Sequence, residues 1–170
     1  MDIRYVCSDE EFRTNAVLSQ VAQDAAALGI ALAGTVQPVD PETSHSKCEI
    51  VLALLPDGAR RNVSFDLPPG TSGCRLDAEA LEAAVLLVHD RLAGAQALVV
   101  NKFGKQEAAG RGLTDAIAEA CARGLPVLVG VAPAWRAAFL AFAEGGAQPL
   151  PPEPEAILTW LRGAVLDRVA

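Results

Sequence analysis

The stretch that decides the fold is ALVVNKFGKQEAAGRG, residues 97–112. Its first four residues are apolar and predict a buried strand, and residues 101–112 predict the loop that follows that strand. In open α/β sheets, ligands bind beyond the carboxyl ends of the strands. A helix is expected to begin near Leu113, and a helix N-terminus presents free amides and partial positive charge to a ligand. The sequence therefore predicts its functional loop at residues 101–112.

Strand-like and helix-like segments alternate on both sides of this stretch. Further strands are predicted at residues 3–6, 30–35, 48–55, 59–65 and 126–131. Helices are predicted from a cap at Ser8 to Leu28, at 78–92 behind a cap at Asp77, at 113–123, after Pro133 and at 156–169. Pro56-Asp57-Gly58 predicts a hairpin. The alternation predicts a single α/β domain over 1–170, a three-layer Rossmann-like sandwich with a mainly parallel sheet and an antiparallel hairpin at its edge.

The bulk composition narrows the classes of function. The chain has 170 residues, is 51% hydrophobic and carries a formal net charge of −7, which argues against nucleic acid as a partner. A signal-peptide pattern and an apolar run of membrane-spanning length are both missing, so we expect a cytoplasmic protein with no membrane partner. The four cysteines have no C-x-x-C pairing and are expected to be reduced. The high apolar fraction predicts a homo-oligomer.

The loop at 101–112 concentrates the features that bind small anions. Its basic side chains supply positive charge, and its glycines allow close backbone approach. Glu107 is suited to orient a lysine, bind a metal or accept a proton. A solvated surface loop, whose glycines only turn the chain, is the alternative interpretation. The predicted anion-binding residues are Asn101, Lys102, Gly104, Lys105, Gly110, Arg111, Gly112 and, from a second segment, Arg75.

A second phosphate-binding pattern occupies the turn between the first strand and the first helix. Residues 7–14 align with the P-loop G-x-x-x-x-G-K-[ST], with Arg13 and Thr14 at the K-[ST] pair. Cys7 and Phe12 replace the two glycines. Arg13 and Thr14 are therefore candidate nucleotide-binding residues in a loop that has lost its glycines.

The same turn is acidic. Asp9, Glu10 and Glu11 put negative charge where phosphate would lie. Ser8 and Glu11 are also spaced as a capping box, which would occupy amides that phosphate needs. This pattern favours a self-capped helix over the binding of a nucleoside triphosphate.

Two cysteines are candidate functional thiols. Cys74 precedes a predicted helix and adjoins Arg75, an environment that lowers a thiol pKa. Cys48 lies close to His45, and the two could form part of a metal site that lacks two further ligands nearby. Both cysteines are equally compatible with a structural role.

Several stretches together resemble a bacterial domain family of unknown function. Its members are often labelled molybdenum transporter ATP-binding protein and are associated with genes for molybdate uptake and molybdenum enzymes. The stretches are Thr35-Val36-Gln37, Cys48-Glu49-Ile50, Gly73-Cys74-Arg75-Leu76-Asp77 and the block from Asn101 to Gly112. The family also resembles small P-loop nucleoside triphosphatases, which implies a P-loop-like sandwich. In this chain Asn101 stands where those proteins have an acidic magnesium-site residue.

Three hypotheses for function follow. The leading one is a non-enzymatic cytoplasmic protein of molybdenum homeostasis that binds a small oxyanion such as molybdate or tungstate. The second is a divergent nucleoside triphosphatase or phosphotransferase that uses a nucleotide with magnesium. The third is a ligand-free regulatory or scaffold partner of a molybdenum enzyme or of its maturation factors.

Overall fold

The computed structural model describes residues 2–39, 49–65, 68 and 76–168. Strands within this part of the chain are β1 Ile3–Val6, β2 Leu32–Val36, β3 Val51–Leu55, β4 Ala59–Asn62, β5 Ala97–Phe103, β6 Val127–Val131 and β7 Ala147–Pro149. They form one sheet of seven strands in the order β4-β3-β2-β5-β6-β1-β7. Predictions that involve His45, Cys48, Cys74 and Arg75 lie outside the described residues.

The sheet is mostly parallel, as the sequence predicts. β1 pairs in parallel with β6 and β7, and β5 pairs in parallel with β2 and β6. β3 is antiparallel to both β2 and β4, so the predicted hairpin lies at one edge of the sheet. The opposite edge is β7, whose pairing with β1 spans three residues. The sequence analysis missed β7 because three residues that end in Pro149 carry no strand periodicity.

Helices cover both faces of the sheet. Their bounds are α1 Arg13–Ala27, α2 Ala78–Leu92, α3 Lys105–Ala108, α4 Thr114–Ala122, α5 Arg136–Phe142 and α6 Pro154–Asp167. α1 and α6 pack on one face through residues such as Leu18 and Leu161. α2, α4 and α5 pack on the other face through residues such as Val88, Ile117 and Phe139. These two apolar cores make the three layers that the alternation predicts.

The first helix begins later than predicted. α1 starts at Arg13, and the residue before it, Phe12, has a left-handed φ of 60° and no side-chain cap. The Ser8 Oγ accepts a hydrogen bond from the Glu10 amide at 3.2 Å, within the preceding turn. The predicted capping box is therefore wrong, because Ser8 stabilises an open turn and lies too far from the helix to cap it.

The strand before the predicted loop is longer than expected. β5 continues to Phe103, so Asn101 and Lys102 belong to the strand, and the turn that follows begins at Gly104. The reason is the burial of Phe103, whose ring lies 5.2 Å from that of Phe139 in an edge-on contact. Within the described ranges, no helix combines the length and the apolar character needed to cross a membrane.

Candidate functional site

A cleft of about 970 Å³ lies at the carboxyl ends of β1, β2, β5 and β6. The turn before α1 forms one part of its lining, and the β3–β4 hairpin forms another. Residues at the ends of the other strands complete it, among them Gln37 after β2 and Lys102 near the end of β5. This is the edge of an open α/β sheet at which ligands bind. We call it the strand-end cleft.

The strand-end cleft carries charges of both signs. Its lining includes two basic side chains, Arg60 and Lys102. Its lining also includes the carboxylates of Asp9, Glu10, Glu11 and Glu49. Arg60 and Glu49 come from the hairpin region and were not among the predicted site residues. The formal balance of these six side chains is negative, so the cleft is unlike the strongly basic cradle that grips a polyphosphate.

A chain of three amide side chains runs from the sheet into this cleft. Asn101 is only 1% exposed, and its Nδ2 donates to the Oδ1 of Asn15 at 3.1 Å. Asn15 in turn donates from its Nδ2 to the Oε1 of Gln37 at 3.1 Å. Because the oxygen of Gln37 already accepts, its NH₂ group is the part left to donate to a ligand. Sequence reasoning missed Asn15 altogether and met Gln37 only as part of the family resemblance.

The buried end of this amide chain lies beside Thr14. A Cβ atom added to Gly130 of β6 would come within 3.0 Å of both the Thr14 Cγ2 and the Asn101 Oδ1, and within 2.6 Å of the Leu18 Cδ1. Gly130 therefore leaves a space beside the Thr14 methyl group and the Asn101 Oδ1 that a side chain at position 130 would crowd. The Asn101 Oδ1 is buried and has no hydrogen-bond partner among the described residues. Thr14 and Asn15 also line the cleft.

Arg13 is not brought into the cleft. Its Nη2 donates to the backbone carbonyl of Pro152 at 2.9 Å, and Arg13 does not line the cleft although its neighbour Thr14 does. The predicted nucleotide-binding pair is therefore divided. Thr14 faces the strand-end cleft, and Arg13 holds the segment that leads into α6.

The turn that follows β5 is held together by Glu107. This side chain is 6% exposed, and its two carboxylate oxygens accept from the amides of Gly104 at 3.0 Å and Leu113 at 3.3 Å. Burial raises the pKa of Glu107, and the hydrogen bonds from these amides oppose that shift. In the structure the Glu107 carboxylate faces inward and holds the turn together through these two amides, and its predicted role toward a lysine, a metal or a proton stays a prediction.

The glycine amides of this turn are also occupied. The Gly110 amide donates to the Glu107 carbonyl at 3.0 Å, and the Gly112 amide donates to the Oε1 of Glu82 at 3.1 Å. Lys105 and Arg111 are exposed and do not line the strand-end cleft. Of the predicted anion-binding residues that the structure describes, only Lys102 lines the strand-end cleft, and Asn101 reaches it through Asn15.

A smaller pocket of about 280 Å³ lies next to the cleft, and Asp9 and Pro133 line both. Here the Nη2 of Arg136 donates to the Tyr5 hydroxyl at 3.2 Å, and Cys7 contributes a free thiol. Burial raises the pKa of the Cys7 thiol, which favours its unreactive protonated form. The described residues include no group of three or more His, Cys, Asp or Glu side chains placed to hold a metal ion.

Comparison with known proteins identifies the family. A protein-family model described as "Protein of unknown function (DUF2478)" matches residues 3–160. The chain belongs to the DUF2478 family. The DUF2478 chain is 35% identical over 147 residues to a protein of Bradyrhizobium diazoefficiens named molybdenum import ATP-binding protein ModC 2. That match covers 86% of this chain and 16% of the relative, so the DUF2478 chain spans less than a fifth of the relative's length.

The fold is similar to that of a solved structure, THEP1 from the hyperthermophile Aquifex aeolicus. The TM-score is 0.63 at 13% sequence identity, with 100% of this chain and 97% of THEP1 covered. At that identity the likeness concerns the fold alone. The DUF2478 chain thus has a THEP1-like fold, which confirms the predicted P-loop-like sandwich. The family model and the Bradyrhizobium relative confirm the family resemblance.

Proposed function

We propose that this chain binds a single small oxyanion of the molybdate or tungstate type in the strand-end cleft, in the cytoplasm, as part of molybdenum homeostasis. The observation that carries the proposal is the presence of three hydrogen-bond donors in the lining of one cleft. Lys102 and Arg60 line the cleft together with Gln37, whose NH₂ group is left as a donor by the amide chain behind it. Charge-assisted donors of this kind are the usual ligands of oxyanions.

The charges of the cleft favour a small oxyanion over a nucleoside triphosphate. Two cations face four carboxylates, and each further phosphate group would add repulsion from the acidic turn. The residues present do not fit a magnesium-bound triphosphate, since Arg13 contacts Pro152 and Asn101 replaces the acidic residue that the P-loop resemblance implies. We therefore propose binding without hydrolysis.

Molybdenum is suggested by the relative. The Bradyrhizobium protein carries molybdenum import in its name, and this chain corresponds to one part of it. We propose that the shared part serves the same element, either as an oxyanion store or as a sensor. Partnership with a molybdenum enzyme and homo-oligomer formation stay predictions from the sequence.

Calorimetric titration of the full chain with molybdate and tungstate tests the proposal. Lys102→Ala should weaken oxyanion binding at least about tenfold, because it removes one charge-assisted hydrogen bond. Lys105→Ala is the matched control, because this exposed lysine lies three residues away and outside the cleft. It should leave affinity unchanged. No heat of binding at millimolar anion, or equal losses in the two variants, would refute the assignment.

A second titration tests the role of the amide chain. Gln37→Glu keeps the side-chain shape but replaces the donor NH₂ with a negatively charged oxygen. We expect it to abolish oxyanion binding. Gln106→Glu adds the same charge outside the cleft, beside Arg111, and should have no effect on affinity.

Nucleotide hydrolysis is the second candidate, favoured by the likeness of the fold to THEP1 and by the position of Thr14 in the lining of the cleft. Phosphate release from ATP and GTP with magnesium measures it directly. Activity that falls in Thr14→Ala and not in Thr114→Ala, a control threonine on α4 outside the cleft, would replace the binding proposal. A flat assay over all nucleotides would remove this candidate.

A further inference from the structure

The strand-end cleft is much larger than a tetrahedral oxyanion. An oxyanion with five non-hydrogen atoms occupies roughly 150 Å³, at about 30 Å³ for each water-sized atom. The cleft holds about 970 Å³, and sites for organic ligands measure about 300–1,000 Å³. Most of the cleft would stay filled with water around a free oxyanion. Its volume points to a ligand that carries the oxyanion on a larger organic group.

Part of the lining of the strand-end cleft is apolar. Phe12 is 45% exposed and Val39 is 40% exposed, and both line the cleft together with Ile50 and Pro38. Large apolar side chains exposed inside a cleft are typical of a ligand surface. An aromatic ring with an open face is the usual platform for a planar heterocycle.

The backbone at Phe12 adds an independent observation. Phe12 has a φ of 60°, a conformation that residues with a bulky side chain rarely adopt. It occupies the position at which the P-loop pattern has a glycine. A glycine there would adopt this φ without strain, whereas phenylalanine takes it against its own local conformational preference. Such strained residues cluster at ligand sites.

The acidic turn limits how much charge the ligand brings. Asp9 and Glu10 line the same cleft as Phe12, so a ligand with several phosphates would be repelled more strongly than one with a single phosphate. A single phosphate would be held by the donors Lys102 and Gln37.

From these observations we infer that the ligand of the cleft is a planar, purine-sized heteroaromatic ring joined to a single phosphate, with the ring stacked on Phe12. This inference rests on the proposed oxyanion site and names the class of molecule that carries the oxyanion. Lys102 and Gln37 hold the phosphate group. Phe12 contributes the contact that distinguishes the aromatic ligand from a free anion.

The test compares AMP and GMP with ribose 5-phosphate and inorganic phosphate by calorimetry on the full chain. The purine monophosphates should bind at least about fivefold tighter than ribose 5-phosphate, as expected for one stacked base. ATP should bind more weakly than AMP. Phe12→Gly should remove the advantage of the purine and leave ribose 5-phosphate affinity unchanged, since glycine accepts this φ.

Phe65→Ala is the control, because Phe65 is 51% exposed and does not line the cleft. The inference is overturned if purines add no affinity, or if their advantage survives in Phe12→Gly. Binding of molybdate and ribose 5-phosphate that is sensitive to Lys102→Ala, without a purine advantage, overturns the inference and leaves the oxyanion site standing. Absence of binding by every probe overturns both.

Discussion

The turn that follows β5 contains two glycines in the left-handed region, and alanine should be tolerated at only one of them. Gly110 has a φ of 72° and Gly112 a φ of 62°, so alanine should cost each about 1–2 kcal/mol of backbone strain. A Cβ at Gly110 would meet nothing within 4 Å. A Cβ at Gly112 would lie 2.3 Å from the Oε1 of Glu107.

The clash at Gly112 adds a second cost. The Glu107 carboxylate would have to move by about 1 Å to restore van der Waals contact, which breaks its hydrogen bond with the Leu113 amide. Loss of a buried hydrogen bond costs about 1–3 kcal/mol. Gly112→Ala should therefore destabilise the protein by about 2 kcal/mol more than Gly110→Ala, or roughly 4–8 °C in Tm for a chain of this size.

Thermal and urea unfolding of both variants measure this difference. A double-mutant cycle sharpens it: in a Glu107→Ala background the clash is gone, and Gly112→Ala should cost no more than Gly110→Ala. Equal stabilities of the two glycine variants in the wild-type background would refute the view that Glu107 staples the turn. Retention of the full Gly112→Ala penalty without Glu107 would refute it as well.

Three further predictions concern stability. Burial raises the pKa of Glu107. The stability that this side chain contributes should therefore be fully present below its ordinary pKa and fall as pH rises through the raised pKa. The difference in the free energy of unfolding between wild type and Glu107→Gln, measured by urea unfolding, should shrink over that pH range. Asp77→Ala should cost about 1 kcal/mol through loss of the α2 cap, against no measurable change for Asp90→Ala on the exposed face. Gly130→Ala should cost about 1–3 kcal/mol by overpacking and weaken oxyanion binding in titrations.

Local sequence signals predicted the architecture well. The apolar strands, the Pro56-Asp57-Gly58 hairpin and the helix over Ala78–Leu92 all appear where expected, and the Asp77 side chain accepts from the Glu79 and Ala80 amides as a cap. These features depend on residues close together in the chain, so periodicity and capping patterns reveal them. The first helix was misjudged because Ser8 and Glu11 imitate a capping box at the right spacing.

The candidate site was predicted only in part, because tertiary contacts assemble it. In the sequence Lys102 and Lys105 belong to the same basic cluster and look equivalent. In the structure Lys102 lies within β5, whereas Lys105 lies in the turn that follows β5. The amide chain links Asn101 to Asn15 across 86 positions and Asn15 to Gln37 across 22. No periodicity connects such residues, and only the order of the strands brings them to the same edge.

The direction of the amide chain has a consequence for selectivity. If all three amides rotated by half a turn, Gln37 would offer an oxygen to the cleft, and the buried end at Asn101 would hold an unpaired NH₂ in place of its unpaired oxygen. A buried NH₂ group without an acceptor is tolerated less readily than a buried carbonyl oxygen without a donor. The protein interior thus sets the polarity at Gln37: one buried atom, separated from the cleft by two side chains, fixes the Gln37 amide as a donor toward the cleft.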